Sequence, residues 1–347
     1  LKVRTVFGTR PEAIKMAPLV KALKACDKID AAVCVTAQHR EMLDQVLDIF
    51  KIKPDYDLNI MHDRQTLVDI TTRAIEGLFE VFEKARPDIV LVHGDTTTTF
   101  AASLAAFYSK IKVGHVEAGL RTYDKYSPYP EEMNRRLTGA IADIHFAPTM
   151  ANRENLLREN VSEDAVFVTG NTVIDALEHT VVKDYTFADP FLRVTVTAHR
   201  RENLGKPLED IFTALRKLTE DLGDIEIVYP VHLNPAVRGP AGRILGNHKR
   251  IHLIEPLNVQ DMHNLMARST LIMTDSGGLQ EEAPSLGKPV LVLRNETERP
   301  EAIKAGTARL AGTGRDAVYN EARLLLTDRD EYQKMARAVN PYGDGKA

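Results

Sequence analysis

Carboxylates, cations and paired glycines recur at one kind of place in this sequence. They follow a short apolar run and precede a helical pattern. Gly8-Thr9-Arg10-Pro11-Glu12 and then Lys15 follow the run Val3–Phe7. Asp95 comes just after Ile89–His93 and leads into four threonines, Thr96 to Thr99. Glu117 closes Val113–Glu117, and Glu131 and Glu132 follow Tyr129-Pro130. Further on, His199 and Arg200 follow Val194–Thr197, and Ser276-Gly277-Gly278 follows Leu271–Thr274. The chemistry open to these groups divides in two. Carboxylates sharing one environment hold separated proton affinities and suit acid/base work. Arg10, Lys15, His199 and Arg200 suit charge-assisted bonds to phosphate. A glycine pair at a helix start offers free amides and the positive end of the helix dipole to an anion. Glu281 and Glu282, one turn beyond it, would repel that anion. The conflict disappears for a nucleotide: phosphates take the cradle, and Glu282, a turn past Gly278, accepts both ribose hydroxyls.

Each of these residues also has a plain structural role. Asp95 reads as a helix N-cap. Glu131, just after Pro130, reads as an acid favoured by the helix dipole. His93 reads as a packed core histidine, His199-Arg200 as a surface basic cluster, and His232 is ambiguous. Gln38-His39-Arg40-Glu41 reads equally as a helix cap and as a ligand site.

The elements that must position these groups are apolar runs alternating with amphipathic helices. Strands are predicted at Val3–Phe7, Ala32–Thr36, Ile89–His93, Val113–Glu117, Ile144–Ala147 and Val166–Thr169. A second series is predicted at Val194–Thr197, Ile225–Pro230, Ile251–Ile254, Leu271–Thr274, Val290–Leu293 and Ala308–Leu310. Helical patterns such as Glu41–Phe50, Leu67–Lys84, Thr98–Ser109, Leu208–Asp221 and Val259–Arg268 separate them. Continuous apolar strands with helices between them imply parallel sheets covered on both faces. Six strands and then six more imply two doubly wound α/β domains, 1–169 and 170–347, facing a central cleft. Ligands then bind beyond the carboxyl ends of the strands, where the residues above fall.

Length and composition agree. A chain of 347 residues is long for one core and suits two domains. A net charge of −4 without a basic run argues against nucleic acid as a partner. No apolar stretch reaches the length of a membrane span, no signal-peptide pattern opens the chain, and Cys26 and Cys34 lack metal or redox spacing. A cytoplasmic setting is expected. Neither a Walker loop nor a strand leading into G-x-G-x-x-G is present, which disfavours a bound nicotinamide. His115-Val116-Glu117 has the H-x-E of zinc deaminases without the P-C-x-x-C half. A metal-dependent phosphoesterase built on His93, Asp95 and His115 would need further ligand motifs.

FGTRPEAIKMAPLV, VTAQHREMLDQVL, LVHGDTTTTFA, VGHVEAGLRT, PEEMNRRL, GNTVIDAL, HRREN, YPVHLNP, TDSGGLQEEAPSLGKPVLVLR and ERPEA occur in order along the chain. Together they resemble the non-hydrolysing UDP-N-acetylglucosamine 2-epimerases. The resemblance implies a GT-B-like fold of two Rossmann-type domains and a homodimer. It implies reversible conversion of UDP-GlcNAc to UDP-ManNAc with no metal and no cofactor, supplying ManNAc-type sugars for cell-surface polysaccharide. By resemblance Asp95, Glu117 and Glu131 are the acid/base set and His199 joins the catalytic residues. Arg10, Lys15, Arg135, Ser276, Gly277, Gly278, Glu282 and Arg299 bind substrate, with Glu282 on the ribose. Gln38, His39, Arg64, Arg200 and His232 match a second UDP-GlcNAc site that activates some bacterial members. Glu41 departs from those members, which carry glutamine there. The resemblance also implies a closing helix after NPYGDG that crosses back to the first domain. The alternatives are a hydrolysing epimerase releasing ManNAc and UDP, a GT-B glycosyltransferase, and a catalytically silent nucleotide-sugar sensor.

Overall fold

A computed structural model describes residues 1–38, 40–62, 65–182 and 192–347. It divides into two compact units, Leu1–His179 with Tyr342–Ala347, and Thr180–Pro341. The sequence reading placed the break at 169/170; the first unit here continues through one more helix and takes the last six residues.

Unit 1 runs β1 (Lys2–Phe7), α1 (Arg10–Lys24), β2 (Asp30–Val35), α2 (Arg40–Phe50), β3 (Tyr56–Asp57), α3 (Leu67–Ala85), β4 (Ile89–His93) and α4 (Thr97–Tyr108). It continues with β5 (Lys112–Val116), α5 (Glu131–Ile141), β6 (Ile144–Ala147), α6 (Met150–Arg158), β7 (Val166–Val168) and α7 (Thr172–Thr180). The sheet is parallel in the order β3-β2-β1-β4-β5-β6-β7. The two-residue β3 is the strand that periodicity missed. Leu78 and Phe82 of α3 and Ala101, Ala102, Ala105 and Ala106 of α4 pack with Val90 and Val92 of β4. The alanine face of α4 gives α3 room to approach closely.

Unit 2 runs β8 (Leu192–Thr197), α8 (Lys206–Asp221), β9 (Ile225–Pro230), α9 (Pro235–Leu245), β10 (Ile251–Ile254), α10 (Val259–Ala267) and β11 (Leu271–Thr274). It ends with α11 (Gly277–Ser285), β12 (Val290–Val292), α12 (Pro300–Ala305), β13 (Ala308–Leu310), α13 (Arg315–Thr327) and α14 (Arg329–Ala336). Its parallel sheet has the order β10-β9-β8-β11-β12-β13. Val194, Val196, Ile225, Ile227 and Tyr229 pack against Leu208, Ile211, Phe212 and Leu215.

Both sheets are doubly wound, as a GT-B-like fold requires. In each, the strand order reverses at a central pair, β1/β4 in unit 1 and β8/β11 in unit 2. Such a reversal point opens a crevice at the carboxyl ends, because the two following segments leave to opposite faces. Residues 8–12, 94–99, 198–203 and 275–278 are the segments that line these two points.

Candidate active site

At the β1/β4 switch point the buried Glu12 joins the two segments. Its Oε2 accepts from the Gly8 amide at 3.1 Å, the Thr9 amide at 2.8 Å and the Thr9 hydroxyl at 2.7 Å. Its Oε1 accepts from the Thr96 and Thr99 hydroxyls at 2.7 and 3.1 Å. The threonine run is thus explained. Thr96 is the N-cap of α4, accepting from the Thr99 amide at 3.1 Å, and Thr98 meets Thr36 at 2.9 Å. Because Thr96 takes the cap, Asp95 is released from the capping role the sequence allowed.

Asp95 instead pairs with Arg135 of α5, whose Nε and Nη2 lie 2.9 and 2.7 Å from its Oδ2. The Asn134 amide group donates to the Asp95 carbonyl at 2.9 Å. Arg135 also meets the buried Glu132 at 3.3 Å, which accepts from the Thr122 and Tyr123 amides. Arg135 therefore has two carboxylate partners here. Glu131 opens α5 as expected, and its Oε2 is buried without a hydrogen-bond partner. Arg10, Gln38, Thr96, Asp95, Glu131 and Asn134 all line one cavity of about 380 Å³ in unit 1.

Strand β5 ends one residue earlier than the sequence suggested, because Glu117 turns into left-handed backbone at φ 61°. A glutamate there is strained and persists only where its side chain is firmly engaged. Glu117 Oε2 takes the Lys15 ammonium and the Asn171 amide group, the latter at 2.9 Å, with His93 Nε2 at 3.6 Å. Burial alone would raise its pKa; the Lys15 ammonium, its hydrogen bond and the nearby His93 outweigh that and hold it well below the usual glutamate range. His93 stays packed in the core, as read. His115 is fully buried and its pKa is pushed down to about 3, chiefly by burial, so its neutral ring donates from Nε2 to the Gly94 carbonyl at 2.7 Å.

Unit 2 has a matching anchor that sequence reading missed. Asp275, wholly buried just after β11, accepts from the His199 amide at 2.7 Å, the Arg200 amide at 2.8 Å and Asn203 Nδ2 at 3.1 Å. Its other oxygen lies 3.4 Å from His199 Nδ1. The His199 ring stacks on His232 at 5.2 Å. Burial and the neighbouring His232 and Arg200 depress the His199 pKa against the pull of Asp275, so the ring is neutral at pH 7.

The opening glycines begin α11, with Ser276 as N-cap. The Ser276 amide is already spent on Thr274 Oγ1 at 2.9 Å, so the cradle offers the Gly277 and Gly278 amides, which have no intrahelical acceptor. The two acids that seemed to repel an anion each have a partner of their own. Glu281 is buried and pairs with Arg299, which packs against Gly277. Glu282 meets His263 at 3.2 Å. Gln38, Arg200 and His232 fall beside Thr98, His199 and Asn234; His39 and Arg64 lie outside the described residues. Among the described residues no group of three or more His, Cys, Asp or Glu side chains is placed to hold a metal ion. No helix among them is long and apolar enough to cross a membrane.

Comparison with known proteins gives one consistent result. A family model described as UDP-N-acetylglucosamine 2-epimerase matches residues 21–347. A Bacillus subtilis UDP-N-acetylglucosamine 2-epimerase is 63% identical, over 100% of this chain and 93% of its own. The Neisseria meningitidis UDP-GlcNAc 2-epimerase bound to UDP-GlcNAc superposes with a TM-score of 0.90 at 52% identity, over 99% of this chain and 96% of that one. An S. aureus protein in complex with UDP gives a TM-score of 0.88 at 55% identity, over 99% and 93%. With a family model over most of its length and a relative this similar over all of it, the chain belongs to the UDP-N-acetylglucosamine 2-epimerase family.

Proposed function

We propose that the chain interconverts UDP-GlcNAc and UDP-ManNAc without releasing the free sugar. One observation carries the mechanism: the three carboxylates of unit 1 sit in three different electrostatic settings. Asp95 is gripped by Arg135, Glu117 is held anionic by Lys15, and Glu131 keeps a buried oxygen with no partner. Asp95 and Glu131 line one cavity, which suits a pair that takes a proton and returns one. Inverting C2 needs such a pair. One carboxylate removes the C2 proton as the C1–O bond breaks, and UDP leaves with the electron pair. The sugar becomes 2-acetamidoglucal. UDP then adds back at C1 while a proton returns to the other face of C2. Glu117, too strongly anionic to be a good donor, holds Lys15 in place. In unit 2 the Gly277 and Gly278 amides, Arg299 and His199 receive the diphosphate, whose charge grows as the bond breaks. Glu282 holds the ribose. The relatives' complexes with UDP-GlcNAc and with UDP support the choice of ligand.

The test is proton NMR of UDP-GlcNAc with the protein in D₂O. UDP-ManNAc carrying deuterium at C2 is the expected product. Free ManNAc with UDP would make the chain a hydrolysing epimerase, and no exchange at C2 would refute the reading.

The same reading includes a homodimer, a second UDP-GlcNAc as activator, and a cytoplasmic setting in which the free thiols Cys26 and Cys34 stay reduced. The exposed Val68, Phe79, Phe107 and Tyr108 on α3 and α4 support a partner surface on unit 1. Arg200 and His232, next to the catalytic His199, support the activator. Sigmoidal UDP-ManNAc kinetics that become hyperbolic on adding UDP-GlcNAc are expected; hyperbolic kinetics without activation would remove the activator.

A further inference from the structure

One buried polar chain in unit 2 has no place in the mechanism above. His263 lies on α10 and is 2% exposed, with a polar neighbour at each ring nitrogen. Nδ1 is 2.6 Å from the Thr180 hydroxyl, itself buried, and Nε2 is 3.2 Å from Glu282 Oε2. Any buried imidazole needs polar neighbours; what is specific here is that one of them is the Glu282 carboxylate.

The direction of the chain follows from its last member. An ionised carboxylate only accepts hydrogen bonds, so Nε2 must carry a proton. In a neutral ring Nδ1 is then an acceptor, and the rotatable Thr180 O–H supplies it. In a protonated ring Nδ1–H donates to the Thr180 oxygen instead. Either way Nε2–H points at Glu282. The other oxygen of Glu282 lies beside Gly278, where an added Cβ would stand 3.2 Å from Oε1. Glu282 is thus bounded on both sides, with the His263 ring against one oxygen and the first turn of α11 beside the other. Left alone, a glutamate side chain would lose considerable rotamer freedom on meeting a ligand. Bounded this way, it has less of that freedom to lose.

We propose that His263, backed by Thr180, is the positioning residue that makes Glu282 a reader of the ribose diol, and so sets preference for ribonucleotide over 2′-deoxyribonucleotide ligands. The proposal rests on Glu282 as the ribose ligand. A cis-diol gives a carboxylate two donors, and a deoxyribose gives it one. The missing hydroxyl matters only if the carboxylate cannot swing to find another partner, and this is the freedom His263 removes.

The experiment is calorimetric titration of the full chain with UDP and with 2′-deoxy-UDP. The wild type should bind UDP about 10- to 100-fold more tightly, the worth of one hydrogen bond to a charged group. His263→Phe, which keeps a ring but no donor, should cut that ratio to about threefold or less. His263→Gln, whose amide nitrogen can stand where Nε2 stands, should restore most of it. Thr180→Val, nearly isosteric, should give an intermediate ratio and covers the case in which His263→Phe fails to fold. A purely structural histidine would lower thermal stability in these variants and leave the ratio untouched; an unchanged ratio in a discriminating wild type overturns the role of His263 while Glu282 stands. A wild type that does not discriminate overturns Glu282 as ribose reader, and the proposal with it.

Discussion

Replacing Glu117 by glutamine removes one charge from a buried pair whose side chains are 15% (Lys15) and 9% (Glu117) exposed. The carboxylate takes Lys15, Asn171 and, more distantly, His93, and a neutral amide withdraws the countercharge it offers the ammonium. Breaking a buried ion pair from one side costs about 3–5 kcal/mol. The left-handed backbone at φ 61° adds to the sensitivity, since a weakened side-chain anchor no longer holds it. Glu117 is held well below the usual glutamate range, so the folded state binds its proton less readily than the unfolded chain. The contribution is therefore fully present above the unfolded value of about 4.3 and is lost as pH falls toward the folded one. Native-state hydrogen exchange of the β4 and β5 amides reads unit 1 by itself, which avoids assuming that two units unfold as one. The opening free energy of those strands should drop by about 3–5 kcal/mol in Glu117→Gln at pH 7. The gap from wild type should narrow as pH falls below about 4. Lys15→Met combined with Glu117→Gln should recover most of the loss, because no lone charge remains. A change under about 0.5 kcal/mol in the single variant would refute the buried pair as an anchor.

Three further outcomes are expected. Asp95→Asn should cut epimerase turnover by about 10²–10⁴-fold, measured by NMR, with UDP affinity little changed; near-normal turnover removes Asp95 from the proton-transfer pair. Glu282→Ala should weaken UDP binding by about 10–100-fold in calorimetry, and unchanged affinity removes it from the ribose. His232→Ala should raise the His199 pKa toward its ordinary value, because it uncovers a ring whose pKa burial depresses; an NMR titration that moves the other way contradicts the stack.

The alternation of strands and helices was legible because continuous Val/Ile/Leu runs and 3.6-residue periodicity are local signals. Positions after each strand were legible for the same reason, since topology sends ligands to the carboxyl ends. Three things were not. Strand β3, Tyr56–Asp57, is too short for any periodicity. Asp95 could not be told from an N-cap, because the choice between Asp95 and Thr96 depends on one residue of helix phase. The partners of Glu281 and Glu282 lie 18 and 19 positions away in sequence, at Arg299 and His263, and only the fold brings them together. Reading the two acids in isolation therefore exaggerated the charge conflict at the glycine cradle.

Glu12 and Asp275 escaped notice for a more general reason. At each switch point two adjacent parallel strands send their following segments to opposite faces, and the amides at the parting lose their sheet partners. In unit 1 Glu12, after β1, takes the amides of Gly8 and Thr9 and reaches hydroxyls after β4. In unit 2 Asp275, after β11, takes the amides of His199 and Arg200 after β8. The two units thus solve the same problem with the same group, a buried carboxylate that binds the amides of its own loops. That use fixes where the neighbouring Arg10, Asp95, His199 and Ser276 stand. Substituting either anchor would abolish activity as thoroughly as substituting a proton-transfer residue. Activity alone would then misplace both in the catalytic set. Stability separates them: an anchor with three to five buried donors loses folding and function together, whereas Asp95, at the lip of a cavity, loses function first.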